Sequence, residues 1–126
     1  MGGLFQRVKV RKPDKRVHRA AVVIDNKVGS SAEGLLLALD AYSDRVTIYG
    51  RDNSSGCLDY ANVCFVKLNH CGYIFQMPMS RKCGLPEGGI DATGIAPDVR
   101  IPLPLPAKLT DNVDEWVIWV AEQLEK

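Results

Sequence analysis

The apolar run Ala20-Ala21-Val22-Val23-Ile24 stops abruptly at Asp25, and the pattern around it predicts a strand from Val17 to Ile24. A continuous apolar strand end suits a parallel sheet covered on both faces. After a short polar turn, Leu35, Leu36, Leu39 and Tyr42 fall on one helical stripe that Leu37 and Ala38 widen, which predicts a mostly buried helix from Ser30 to Tyr42. Gly34 inside that helix costs stability and suggests close packing at its position. Arg45-Val46-Thr47-Ile48-Tyr49 reads as a second strand, ended by Gly50. Strand, helix and strand in this order form a βαβ unit with parallel strands and a right-handed crossover. Ser30 then lies beyond the carboxyl end of the first strand, where open α/β sheets bind ligands.

Residues 51–59 are polar and read as a loop. Tyr60 to Leu68 and Tyr73 to Met79 read as two strands joined by the turn signal Asn69-His70-Cys71-Gly72. Gly84 to Asp98 is rich in Gly and Pro and irregular. The alternating prolines of Ile101-Pro102-Leu103-Pro104-Leu105-Pro106 enforce an extended chain, better read as a rigid connector than as an SH3-type ligand. The chain closes with an amphipathic helix, capped by Thr110 or Asp111, with Asp114 and Glu115 in its first turn. Val113, Trp116, Val117, Val120, Ala121 and Leu124 make its apolar face, and Trp119 falls off that stripe. The fold class is α/β: a βαβ unit, a β-hairpin and a C-terminal amphipathic helix.

Composition narrows the function classes. A chain of 126 residues with 46% hydrophobic and 25% charged positions fits one soluble domain. No apolar run is long enough to span a bilayer, and Met1-Gly2-Gly3-Leu4 opens no signal-peptide core. The net charge of +1 conceals an asymmetry: residues 1–20 hold seven Lys/Arg against one Asp, and the remainder holds nine against fourteen acids. Residues 1–19 therefore read as a basic segment or linker. Without aromatic interleaving or a binding motif, that charge does not point to nucleic acid. Cysteines at 57, 64, 71 and 83 are spaced by seven, seven and twelve positions, which matches no zinc pattern. Cys64 reads as a small core residue, while Cys57 and Cys83 fall in loops where a disulfide is conceivable.

The chemistry concentrates at Gly29-Ser30-Ser31-Ala32-Glu33. A hydroxyl between a strand end and a helix start sits among free N–H groups, which suits an oxyanion and hence acyl transfer. The same spacing is that of a capping box, in which Ser30 and Glu33 satisfy each other's backbone N–H. Both readings stand on these residues alone.

The wider pattern resembles the tail-specific (C-terminal processing) serine peptidases. It comprises Val22-Val23-Ile24-Asp25 and Gly29 to Glu33, then Gly50-Arg51-Asp52-Asn53-Ser54-Ser55-Gly56 and Leu58-Asp59-Tyr60-Ala61-Asn62-Val63. It closes with Gly89-Ile90-Asp91 and Gly94-Ile95-Ala96-Pro97-Asp98-Val99. The resemblance covers residues 20–126 and implies the C-terminal part of a catalytic domain with a ClpP/crotonase-like fold. It implies Ser30 as nucleophile, the Ser31 N–H as an oxyanion donor and Asp91 as the acidic partner of a base, with Glu87 as a second candidate. It implies a peptide or protein substrate, no cofactor or metal, and an exported or cell-envelope parent protein. The lysine that many members carry about twenty-five residues after the serine is replaced here by Ser55. The chain is thus closer to the non-lysine, tricorn-like branch, whose histidine comes from an upstream segment. His18 and His70 read as surface or structural, and Asp98 as a turn or cap residue. A fragment of this kind is expected to be inactive alone. The competing class is a non-catalytic peptide-binding or assembly module on the same scaffold, with homo-oligomers formed through exposed strand edges.

Overall fold

The structure, a computed structural model, describes residues 18–106, 109 and 114–126. Most of the basic segment, and the expected cap residues Thr110 and Asp111 with Val113, lie outside the described residues. Strand β1 (Ala20–Ile24) leads through helix α1 (Ser31–Tyr42) to strand β2 (Val46–Gly50). The two strands pair in parallel, from Ala20 opposite Val46 to Ile24 opposite Gly50, so the βαβ unit stands. Strands β3 (Tyr60–Lys67) and β4 (Ile74–Arg81) form a separate antiparallel hairpin. A two-residue strand β5 (Val99–Arg100) adds to β2 in parallel, and helix α2 (Glu115–Leu124) ends the chain. The main sheet has the order β1-β2-β5.

Alternation along β1 and β2 divides the core into two clusters, one on each face of the sheet. Ile24 and Ile48 point to one side and pack with Leu36 of α1, joined by Val22, Val28 and Ile95. Tyr49 points to the other side and packs with Ile101, Trp116 and Val120, joined by Ala21 and Trp119. The helices therefore flank the sheet, α1 on one face and α2 on the other. The mixed α/β character follows from this arrangement.

Several local expectations change. β1 begins at Ala20 and is only half-buried, with Val23 exposed, because it lies at the edge of a three-stranded sheet. Among the described side chains of α1, Glu33 and Leu36 are buried and Leu35 is 56% exposed, because this helix covers a narrow sheet on one side only. Asp114 is the N-cap of α2, and its carboxylate accepts from the Trp116 N–H at 2.8 Å. α2 is also rotated from the expected face. Val117 is exposed, whereas Trp119 meets Tyr49 edge-on with ring centroids 6.3 Å apart. A large ring on β2 attracts the aromatic side chain and turns the helix towards it. Cys64 belongs to the exposed hairpin and not to either core cluster, and all four cysteines are free thiols. β5 did not stand out in the sequence. It forms beside Asp98, which docks on β2: its carboxylate accepts from Ile48 N–H at 2.7 Å and its own N–H donates to Ile48 C=O at 2.8 Å.

Trp116 joins the rigid connector to the core, since its Nε1–H donates to the Pro104 carbonyl at 2.9 Å while its ring is buried. Trp116→Ala is expected to lower unfolding free energy by about 3–5 kcal/mol. Trp116→Phe keeps most of the packing but strands the carbonyl, and is expected to cost about 1–2 kcal/mol. Urea denaturation of the two variants checks the order.

Candidate functional site at the carboxyl end of the parallel sheet

The loops that leave β1 and β2 emerge side by side. The first turns at Asp25, whose carboxylate accepts from the Lys27 N–H at 2.9 Å, and runs through Gly29 to Ser30. The second begins after Gly50 and is drawn back onto the first, with Ser55 N–H donating to Val28 C=O at 2.8 Å. Gly29 leaves room for this close approach. A Cβ at this position would collide with the hydroxyl of Ser55 and with the sulfur of Cys57. Ser55, the position of the missing lysine, therefore sits against the residue before Ser30.

Ser30 is the N-cap of α1 and is exposed, but its backbone is not that of an ordinary cap. An N-cap residue usually occupies the β region. Ser30 has φ 55° and ψ −121°, a conformation that costs a non-glycine residue roughly 1–3 kcal/mol. The two contacts of a capping box join Ser30 and Glu33, yet the Ser30 hydroxyl does not complete a cap hydrogen bond. The strong half runs the other way, with Ser30 N–H donating to Glu33 Oε2 at 2.9 Å. Ser31 is the first helical residue, and its amide has no intrahelical acceptor.

Glu33 fixes this geometry. Its side chain is 0% exposed, in the first turn of α1. Oε1 accepts from the Ser54 hydroxyl at 2.6 Å and from Gly56 N–H at 2.7 Å. Oε2 accepts from Ser30 N–H and, at 3.0 Å, from Cys57 N–H. Burial pushes the carboxyl pKa up, but the Ser54 hydroxyl and the three backbone donors more than offset it, so Glu33 sits below the ordinary carboxylate range. The positive end of α1 favours the same charged state.

A third segment closes the site from behind. The buried Ser54 accepts from Ile95 N–H at 2.7 Å and donates its own N–H to Ile95 C=O at 3.0 Å. Gly94 has φ 69°, and a Cβ there would strike the Ser54 carbonyl, so this backbone approach needs glycine. Ala92 N–H donates to Gly56 C=O at 3.0 Å, and the buried Asp59 accepts from Ile90 N–H at 2.8 Å. Residues 53–59 and 89–95 are thus zipped together above the sheet.

Asp91 belongs to that zipper. Its Oδ1 accepts from Asp59 N–H at 2.8 Å, which is the turn role open to it from sequence, and no hydrogen bond joins it to Ser30 among the described residues. Glu87 lies in an exposed turn. His18 is exposed just before β1, and His70 is exposed in the hairpin turn, so neither hydrogen-bonds to Ser30. Asp98 serves β2, as described. The structure brings together Ser30, Glu33, Ser54, Gly56 and Cys57, of which Ser54, Gly56 and Cys57 were not singled out as site residues. The signal available for them was the Ser54-Ser55-Gly56-Cys57 run in the loop that follows the strand ending in Gly50. Among the described residues no group of three or more His, Cys, Asp or Glu side chains could hold a metal ion, and no helix is long and apolar enough to cross a membrane.

No protein-family model matches this chain, and no curated protein or solved structure gives a significant match.

The buried carboxylate makes stability depend on acid. Glu33 is held ionised in the folded state at a pKa below its unfolded value, so its contribution is complete above the unfolded carboxylate pKa of about 4.3. It is lost as pH falls through the folded pKa, because the unfolded chain then binds the extra proton first. Glu33→Gln places an NH2 group against donors and is expected to cost about 2–4 kcal/mol at neutral pH. The variant should also show a shallower stability loss below pH ~4. Denaturant titrations across pH measure both effects.

Proposed function

We propose that this chain carries the nucleophile side of a serine-type peptidase site, related to the tail-specific peptidases and built on a ClpP/crotonase-like scaffold. The observation that carries the reading is the Ser30 backbone. A serine present only to cap a helix takes a relaxed extended conformation and bonds through its hydroxyl. Ser30 leaves that conformation: the capping-box contacts join it to Glu33, but its hydroxyl completes no full cap hydrogen bond, and the buried Glu33 carboxylate in the first turn of α1 maintains its strained turn. Strained serines on a strand-to-helix turn, with the side chain raised above a sheet, are the arrangement of nucleophile elbows.

In this reaction the Ser30 hydroxyl gives its proton to a base as Oγ bonds to the scissile carbonyl carbon. The oxyanion is met by the Ser31 N–H at the positive end of α1. The C–N bond then breaks, the amine leaves with the proton, and water hydrolyses the acyl-serine. The base reaches Ser30 from outside the described residues, and Asp91 orients it with the oxygen that Asp59 does not occupy. The chain alone then forms an acyl-enzyme slowly and turns over peptides poorly.

The second reading, a non-catalytic peptide-binding or assembly module, draws on the serine at position 55 and on the exposed histidines. It predicts no special reactivity at Ser30.

Reaction with a fluorophosphonate probe separates the two. The proposal expects one labelled peptide, carrying Ser30, and no labelling of Ser30→Ala. Labelling that survives in Ser30→Ala, or falls on Ser55, would refute it. Ser30→Gly relieves the positive φ and should raise stability by roughly 1 kcal/mol while abolishing the label. A stability loss in Ser30→Gly would mean that Ser30 is present as a cap.

A further inference from the structure

We infer that the β3–β4 hairpin is a self-association surface, through which a second copy of this chain stacks face to face on the first. Beyond an irregularity at Asn62 (φ 55°), the strands pair in register, with Cys64 opposite Met77 and Val66 opposite Phe75, and the Leu68 N–H donates to the Tyr73 carbonyl at 2.9 Å. Alternation therefore places Val66, Leu68, Tyr73, Phe75, Met77 and Met79 on one face, with Cys64 near its centre. None of these positions is charged. The opposite face is interrupted by Lys67 and Gln76.

This apolar face is open. Tyr73 is 73% exposed, Met79 69% and Phe75 55%. β3 and β4 pack on each other and on no other helix or strand to a substantial extent among the described residues. A two-stranded ribbon is marginal in water by itself, so the conformation needs a cover on one face.

The occupant follows from charge and area. Arg81 ends this face opposite Tyr60 and lies over that ring, 5.8 Å from its centroid, while the six-residue centre carries no charge and gives an ionic partner nothing to recognise. This centre meets a copy of itself across a two-fold axis without like-charge repulsion. With typical side-chain areas, the exposed part of the six residues comes to on the order of 600 Å² per copy. Two copies then bury on the order of 1,200 Å², above the ~1,000 Å² that a specific interface needs. The contact is made by sheet faces and is distinct from pairing along the free edge of β1.

Light scattering after size exclusion tests this with the chain at about 100 μM, a concentration chosen high because about 1,200 Å² lies at the low end of specific interfaces. The expected result is twice the chain mass, falling to the monomer mass for Phe75→Lys combined with Met77→Lys. These side chains lie outside both core clusters, so the charges leave the monomer fold in place. A second measurement does not depend on charge insertion. In a variant with Cys57, Cys71 and Cys83 changed to Ser, a short bis-maleimide should join two copies through Cys64. Three results overturn the inference: a monomer at that concentration, whatever else then covers the face; a dimer indifferent to the two lysines; and a dimer that Cys64 does not cross-link.

Discussion

The Glu33 carboxylate is sealed from water, and its donors are neutral groups that come from the loop after β2 and from Ser30, which ends the loop after β1. A buried anion without such donors costs several kcal/mol, so the arrangement holds only when all of them are in place. This requirement brings the loop after β2 back over the loop after β1. Ser54 then carries the constraint outward to Ile95, and the Gly56 carbonyl carries it to Ala92. The third segment, which ends in Asp98 and β5, is thus tied to the first turn of α1. The irregular upper half of the molecule is ordered by one charge more than by apolar packing.

The sequence revealed the elements whose contacts are local or periodic. β1, α1 and β2 followed from an apolar run, a leucine stripe and a β-branched stretch, and the hairpin from its turn residues. What escaped depends on partners far along the chain. β5 is two residues long and forms beside Asp98, whose partner Ile48 lies fifty positions earlier. The facing of α2 is decided by Tyr49, and no helical pattern within residues 115–124 contains that ring. Burial of α1 was overestimated for the same kind of reason: leucine spacing gives the face of a helix but not the width of the sheet beneath it.

The site was legible in part. Gly29-Ser30-Ser31-Ala32-Glu33 marked the helix start, and the capping spacing gave the Ser30–Glu33 contact. The second task of Glu33 was hidden, because a glutamate at the third helical position looks the same whether it serves one amide or four groups. Asp91 illustrates the opposite case. Its place before the closing glycine signature left a chemical and a turn role open, and one oxygen of its carboxylate holds a loop amide.

One arrangement also bears on how the molecule opens. The amides of Ser30, Gly56 and Cys57 end on a single carboxylate, although they belong to two segments far apart in sequence. None of them can be released while the carboxylate stays buried and satisfied. Solvent exchange at these amides should therefore proceed at a common rate, as one opening unit, even where the adjacent turn frays faster. The strained turn at Ser30 is then present only in molecules whose two loops are both seated, so its geometry is a population, set by the free energy of seating a loop more than twenty residues further along the chain.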